Sequence, residues 1–115
     1  MWPSNQTVYL SNSATDMRKS INGLSILVSS HLKHNPCDGA IYVFLNRLRN
    51  KVKLLYWDRN GFVLFYKILE KGRFKLSKFN DEIYTLDSAQ LQWLLSGLNF
   101  EKPEGHLRLN YTEFC

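Results

Sequence analysis

Residues 51–69, KVKLLYWDRNGFVLFYKIL, read as one antiparallel hairpin, and this reading constrains the fold of the whole chain. Successive side chains of a strand point to opposite faces. Over 51–58, Val52, Leu54 and Tyr56 therefore share one face, and Lys51, Lys53, Leu55 and Trp57 share the other. The pair Asn60-Gly61 tolerates positive φ and predicts the turn, with residues 62–69 returning. Before this hairpin, residues 41–45 (IYVFL) are β-branched and aromatic and suit a buried strand, and 46–50 (NRLRN) supply a polar connection. The three runs together predict an antiparallel meander. After Leu69, residues 71–74 (KGRF) form a further turn, and residues 74–76 and 82–84 each suit a short edge strand.

Two helices are expected around this sheet. Residues 7–11 (TVYLS) suit a short strand, and Ser13 with Asp16 three residues on has the spacing of a capping box. Met17, Ile21, Leu24, Val28 and Leu32 then recur at helical spacing, with Leu27 beside them, predicting a helix over about 16–33. Gly23 inside it points to close packing on the sheet. Pro36 and Gly39 mark the loop that follows. A second helix is predicted over 88–97, with Leu91, Leu94, Leu95 and Leu98 as its apolar stripe and Gly97 near its C-terminal cap. The expected class is α+β: an antiparallel sheet of four to five strands, a meander, with two helices packed on one face. Residues 1–100 form a single domain in this reading, and 101–115 form a polar tail.

The positive charge of the chain is concentrated. Residues 47–78 hold ten of its fifteen basic residues against two acids, Asp58 and Glu70, a local charge of +8. The other 83 residues hold five basic groups against eight acids, so they are mildly acidic although the whole chain has a pI near 9.3. Phosphate contacts and aromatic stacking are the two elements of surfaces that hold nucleic acid. If one sheet face is left open, Lys51, Lys53, Leu55 and Trp57 with Tyr56 or Tyr66 near its edge form such a surface. The alternative places Trp57, Phe62, Phe65 and Tyr66 in the core with lysines as solvated neighbours. Arg47, Arg49, Arg59, Lys71 and Arg73 fall in turns, where they are free to reach phosphates. With Lys67, and with Arg18 and Lys19 at the start of the first helix, they complete the candidate nucleic-acid-binding set. Trp57 and Tyr66 are the candidate anchors for a protein partner.

At 115 residues and 44% hydrophobic content, the chain is expected to form one core without a disulfide or metal. Cys37 and Cys115 read as thiols in a reducing compartment. The N-terminus lacks the features of a secretory signal, and no apolar run approaches the roughly 20 residues that span a bilayer, so a cytoplasmic protein without a membrane partner is expected. His31, His34 and Cys37 have metal-like spacing but lack the second half of a four-ligand site. Asp16, Asp58 and Glu70 form a conceivable carboxylate set for phosphodiester chemistry, yet each has a local explanation in a cap, a turn or a lysine pair. No glycine-rich phosphate loop or nucleophile elbow is present. No catalytic residue, metal or cofactor is therefore expected.

Several short motifs occur in a particular order. Ala14-Thr15-Asp16-Met17-Arg18-Lys19 is followed by Gly23-Leu24, and then by Val43-Phe44 ahead of a basic turn. Lys53-Leu54-Leu55-Tyr56-Trp57-Asp58, Gly61-Phe62, Leu64-Phe65-Tyr66-Lys67 and Leu69-Glu70-Lys71-Gly72-Arg73-Phe74 come next. This pattern resembles the small accessory proteins of one large family of bacterial insertion sequences. These are encoded by the second small open reading frame and labelled TnpB or Orf2-like; they are distinct from the RNA-guided nucleases that share the TnpB label. The likeness spans about residues 2–100 and includes Leu86, Ala89-Gln90-Leu91 and Leu94-Leu95. It implies a non-catalytic accessory protein for DNA transposition in a bacterial cytoplasm, working beside a larger transposase that holds the catalytic acids. DNA and the transposase are the partners it implies. The alternatives are a pure protein-interaction module that docks on the transposase without DNA contact and, second, a metal-dependent nuclease or transposase subunit.

Overall fold

The computed structural model describes residues 6–76 and 78–97. Five strands and two helices alternate along the chain: β1 (Val8–Ala14), α1 (Ile21–Ser30), β2 (Ile41–Leu45), β3 (Lys51–Asp58), β4 (Gly61–Ile68), β5 (Ile83–Leu86) and α2 (Ser88–Leu95). They form a single sheet in the order β4-β3-β2-β1-β5. The expected domain boundary at residue 100, the tail 101–115, Leu98 and Cys115 lie outside the described residues.

The predicted meander is correct for β2-β3-β4, where both pairings are antiparallel and Leu54 stands opposite Val43 on one side and Phe65 on the other. The whole sheet is mixed rather than antiparallel. β1 lies parallel to β2, Val8 opposite Ile41, because the 26 residues between them carry the chain over the sheet through α1. β5 then pairs antiparallel with the far side of β1, Val8 opposite Leu86. Residues 74–76 form no strand. Phe74 is instead buried, its N–H donating to the Arg49 carbonyl at 2.7 Å.

The helices also depart from the single-face arrangement. Every residue of β2 is buried, which a strand achieves only when both faces of the sheet are covered. Ile41, Val43 and Leu45 pack with Val52, Leu54 and the α2 residues Leu91, Leu94 and Leu95. Tyr42 and Phe44 pack on the opposite face with Leu55 and the α1 residues Leu24 and Val28. The fold thus has three layers, one helix on each side of the sheet. The face expected to lie open, with Lys53, Leu55 and Trp57, is the one α1 covers.

Local chemistry accounts for the shifted boundaries. α1 starts at Ile21 rather than Asp16, since the Asp16 carboxylate turns back on its own loop to accept the Arg18 N–H at 2.9 Å. The predicted capping box does not form there, and the Ser13 hydroxyl donates to Asp81 at 2.9 Å. Gly23 makes its close approach to this loop and not to the sheet: a Cβ there would lie 3.2 Å from the Lys19 Cβ. A capping box does open α2, where Asp87 accepts the Gln90 N–H at 2.7 Å and the Gln90 side chain accepts the Asp87 N–H at 3.0 Å. Gly97, with φ of +83°, follows its last turn as expected. In the β3–β4 hairpin, Asp58 faces Gly61, so the two turn residues are Arg59 and Asn60, one position earlier than predicted. Arg59 takes the left-handed φ of +55°.

Candidate nucleic-acid interface

The site begins with a lysine inside the protein. Lys53 on β3 is only 6% exposed, and burying an ammonium is costly unless its protons are taken up. Here the Lys53 Nζ donates to the carbonyls of Met17 at 2.8 Å and Lys19 at 2.7 Å, which ties the loop between β1 and α1 to the sheet. It also lies 4.7 Å from the ring centroid of Tyr66, its direct cross-strand neighbour on β4. One ammonium therefore positions both the loop and the ring.

Past Lys53, the sheet face that α1 covers becomes open. Leu55, Phe62 and Leu64 lie beneath α1, whereas Tyr66 and Ile68 are 44% and 53% exposed. Lys51 stands opposite Ile68 at the same end. A groove of about 470 Å³ runs here between residues 15–18, the β2–β3 turn and the ends of β3 and β4. Arg18, Arg47 and Lys51 line it together with Leu48, Tyr66 and Asp16.

The turn beside the groove is held by Asn46. Its Oδ1 accepts the N–H groups of Asn50 at 3.0 Å and Lys51 at 2.9 Å, and its Nδ2 donates to the Asn50 side chain at 2.8 Å. Arg47 and Leu48 are exposed at the tip, Leu48 at 60%. Across the groove, the Arg18 guanidinium closes on Asp16 at 2.6 Å and draws that carboxyl down to about 2. Among the described residues neither Arg47 nor Lys51 meets a carboxylate, so their charge is available to an anion.

Of the predicted cations, the groove gathers Arg18, Arg47 and Lys51. Three others have structural work in place of the open position predicted for them. Lys53 is buried as described. Lys67 reaches the last turn of α2 and donates to the Leu95 carbonyl at 2.8 Å, where a cation complements the helix end. The Arg49 guanidinium donates to the Leu76 carbonyl at 2.7 Å and lies 4.8 Å from the Phe79 ring centroid, while its backbone takes a φ of +59°. Lys19 is exposed beside the groove, Arg59 is exposed at the β3–β4 tip, and Lys71 and Arg73 are exposed in the loop after β4. Of the two proposed anchors, Tyr66 is in the groove. Trp57 lies near the other end of β3, half-buried and edge-to-face with Phe62 at 5.0 Å. The sequence reading missed Leu48 and Ile68; their place at the uncovered end of a strand pair was a signal only once the extent of α1 was known.

Among the described residues, no three of His, Cys, Asp and Glu stand where one ion could join them, and no helix is long and apolar enough to cross a membrane.

The chain is similar over 106 residues to the uncharacterized protein y4hO of Sinorhizobium fredii, with 36% identity covering 90% of this chain and 92% of that one. It is also similar to the uncharacterized protein y4jC of the same organism, with 30% identity over 95 residues covering 83% and 81% of the two chains. No solved structure matches it. The family described as IS66 Orf2 like protein matches residues 6–105, a span that contains every described residue, and the chain belongs to that family.

Proposed function

We propose that this protein is a non-catalytic accessory factor of insertion-sequence transposition, which holds DNA through the cationic groove and works beside a separate transposase. Membership of the IS66 Orf2-like family supports the transposition context. The observation that carries DNA contact is the convergence of Arg18, Arg47 and Lys51 on one groove, with Arg47 and Lys51 unpaired among the described residues. Cations held in this way release counterions from a phosphate backbone when they bind it, so affinity depends steeply on salt. An anisotropy titration with element-end DNA at several salt concentrations tests the reading. Binding that weakens linearly on a log–log salt plot is expected, and no binding to duplex or single strands at low salt overturns it.

A second reading, docking on the transposase without DNA contact, draws support from the exposed Leu48 and Ile68 beside the groove. A complex that survives high salt in a pulldown and dissolves on Leu48→Asp would favour it. Trp57→Ala tests the other proposed anchor in the same assay. Metal-dependent nicking by the purified protein would instead make it an enzyme.

A further inference from the structure

The groove has apolar groups that phosphate contacts leave unexplained. Leu48 of the β2–β3 turn and Tyr66 of β4 line it together with Arg18, Arg47 and Lys51, and the exposed Ile68 lies beside it, opposite Lys51. A duplex keeps its bases stacked inside and offers phosphates to such a surface, so the ring and the two aliphatic side chains would gain nothing from it. An unpaired strand offers both phosphates and free base faces. Tyr66 is suited to the second. The Lys53 ammonium holds one face of its ring, itself fixed by two backbone carbonyls, so the ring is oriented before any ligand arrives.

We propose that the groove binds single-stranded DNA, with an unpaired base stacked on Tyr66 against Leu48 and the flanking phosphates held by Arg47 and Lys51. This inference rests on the DNA-binding reading above and narrows it to one form of the nucleic acid. An acidic, apolar peptide of a protein partner is the competing occupant; the flat ring preset by a cation favours a base.

The test compares a short fluorescent oligothymidylate with a duplex of equal length in anisotropy titrations of the full chain. The single strand is expected to bind more tightly. Tyr66→Ala should weaken the single strand by about tenfold, as removal of a base-stacking ring does, and leave the duplex unchanged, while Tyr66→Phe restores binding to within about twofold. A duplex preference, or equal weakening of both ligands by Tyr66→Ala, overturns the proposal but leaves the DNA-binding reading standing. Absence of binding to either ligand removes both. Because Tyr66 covers a buried lysine and its alanine variant is at risk of misfolding, the unaltered protein provides a second measurement. Photocrosslinking to an iodouracil-substituted strand should mark the peptide containing Tyr66 or Leu48; crosslinks confined to Arg59 or to residues 71–73 overturn the proposal. So does a Tyr66→Ala variant that disrupts a transposase pulldown while the unaltered protein ignores the single strand.

Discussion

Lys53 and Tyr66 face each other across β3 and β4, with the lysine ammonium 4.7 Å from the tyrosine ring centroid and inside the protein. The same ammonium holds two carbonyls of the loop that precedes α1. A residue that the charge pattern assigns to a ligand thus acts as a positioning group for those around it.

Lys53→Met keeps most of the side-chain volume and removes both hydrogen bonds, leaving the Met17 and Lys19 carbonyls without this donor. A stability loss of about 2–4 kcal/mol is expected in urea denaturation. DNA affinity should fall as well, although Lys53 itself makes no contact in the proposed complex, because the loop bearing Arg18 and the ring of Tyr66 both lose their support. Unchanged stability would mean that the loop is held by other contacts.

Arg47 and Arg49 are two residues apart, and the structure gives them opposite roles. Arg47→Gln is expected to leave stability unchanged and to lower the slope of log affinity against log salt by about one unit. Arg49→Met should do the reverse. It loses the hydrogen bond to Leu76 and the contact with Phe79, costs about 2 kcal/mol in denaturation, and leaves the salt slope unchanged. Equal salt slopes for the two variants would show that their roles are not separated in this way.

The contrast between these arginines shows how far the sequence could be read. Alternation over residues 51–58 correctly sorted Val52, Leu54 and Tyr56 from Lys53, Leu55 and Trp57, because side-chain direction in a strand depends on the backbone alone. The unbroken apolar run IYVFL carries the sign of a strand covered on both faces, and with it the helices on opposite sides. The parallel pairing of β1 with β2 was less accessible, since it depends on where the α1 crossover returns. The fate of the cations was not accessible at all. Whether an arginine meets water, an aromatic ring or a carbonyl depends on loop shape, such as the left-handed backbone at Arg49, to which the residue type gives no clue.

Lys67 closes the end of α2 from the neighbouring sheet. Lys67→Met should lower stability by about 1 kcal/mol and speed hydrogen exchange in the last turn of α2 more than in α1, since the Leu95 carbonyl loses its charged donor. DNA binding should be unaffected, as this side chain lies on the α2 face of the sheet, away from the groove. A loss of affinity with unchanged exchange would instead place Lys67 at the interface.

The Asp16–Arg18 pair at the border of the groove should persist in acid. The hydrogen bonds from Arg18 hold the Asp16 carboxyl at about 2 in the folded protein, against an ordinary value of 3.8. A carboxylate with a lowered folded value contributes its stabilisation in full above 3.8 and loses it as pH falls toward 2, so the Arg18 contact should persist at pH 3, where an unpaired aspartate is largely protonated. A carboxyl-carbon NMR titration of Asp16 is expected to give a midpoint near 2, with the Arg18 Nε–H signal changing in step. Arg18→Gln should return the Asp16 midpoint toward 3.8, and because this pair is fully exposed, raising the salt concentration should move it in the same direction. A midpoint near 3.8 in the unaltered protein would mean that the pair does not form in solution, and Arg18 would then join Arg47 and Lys51 as a cation free to meet phosphate.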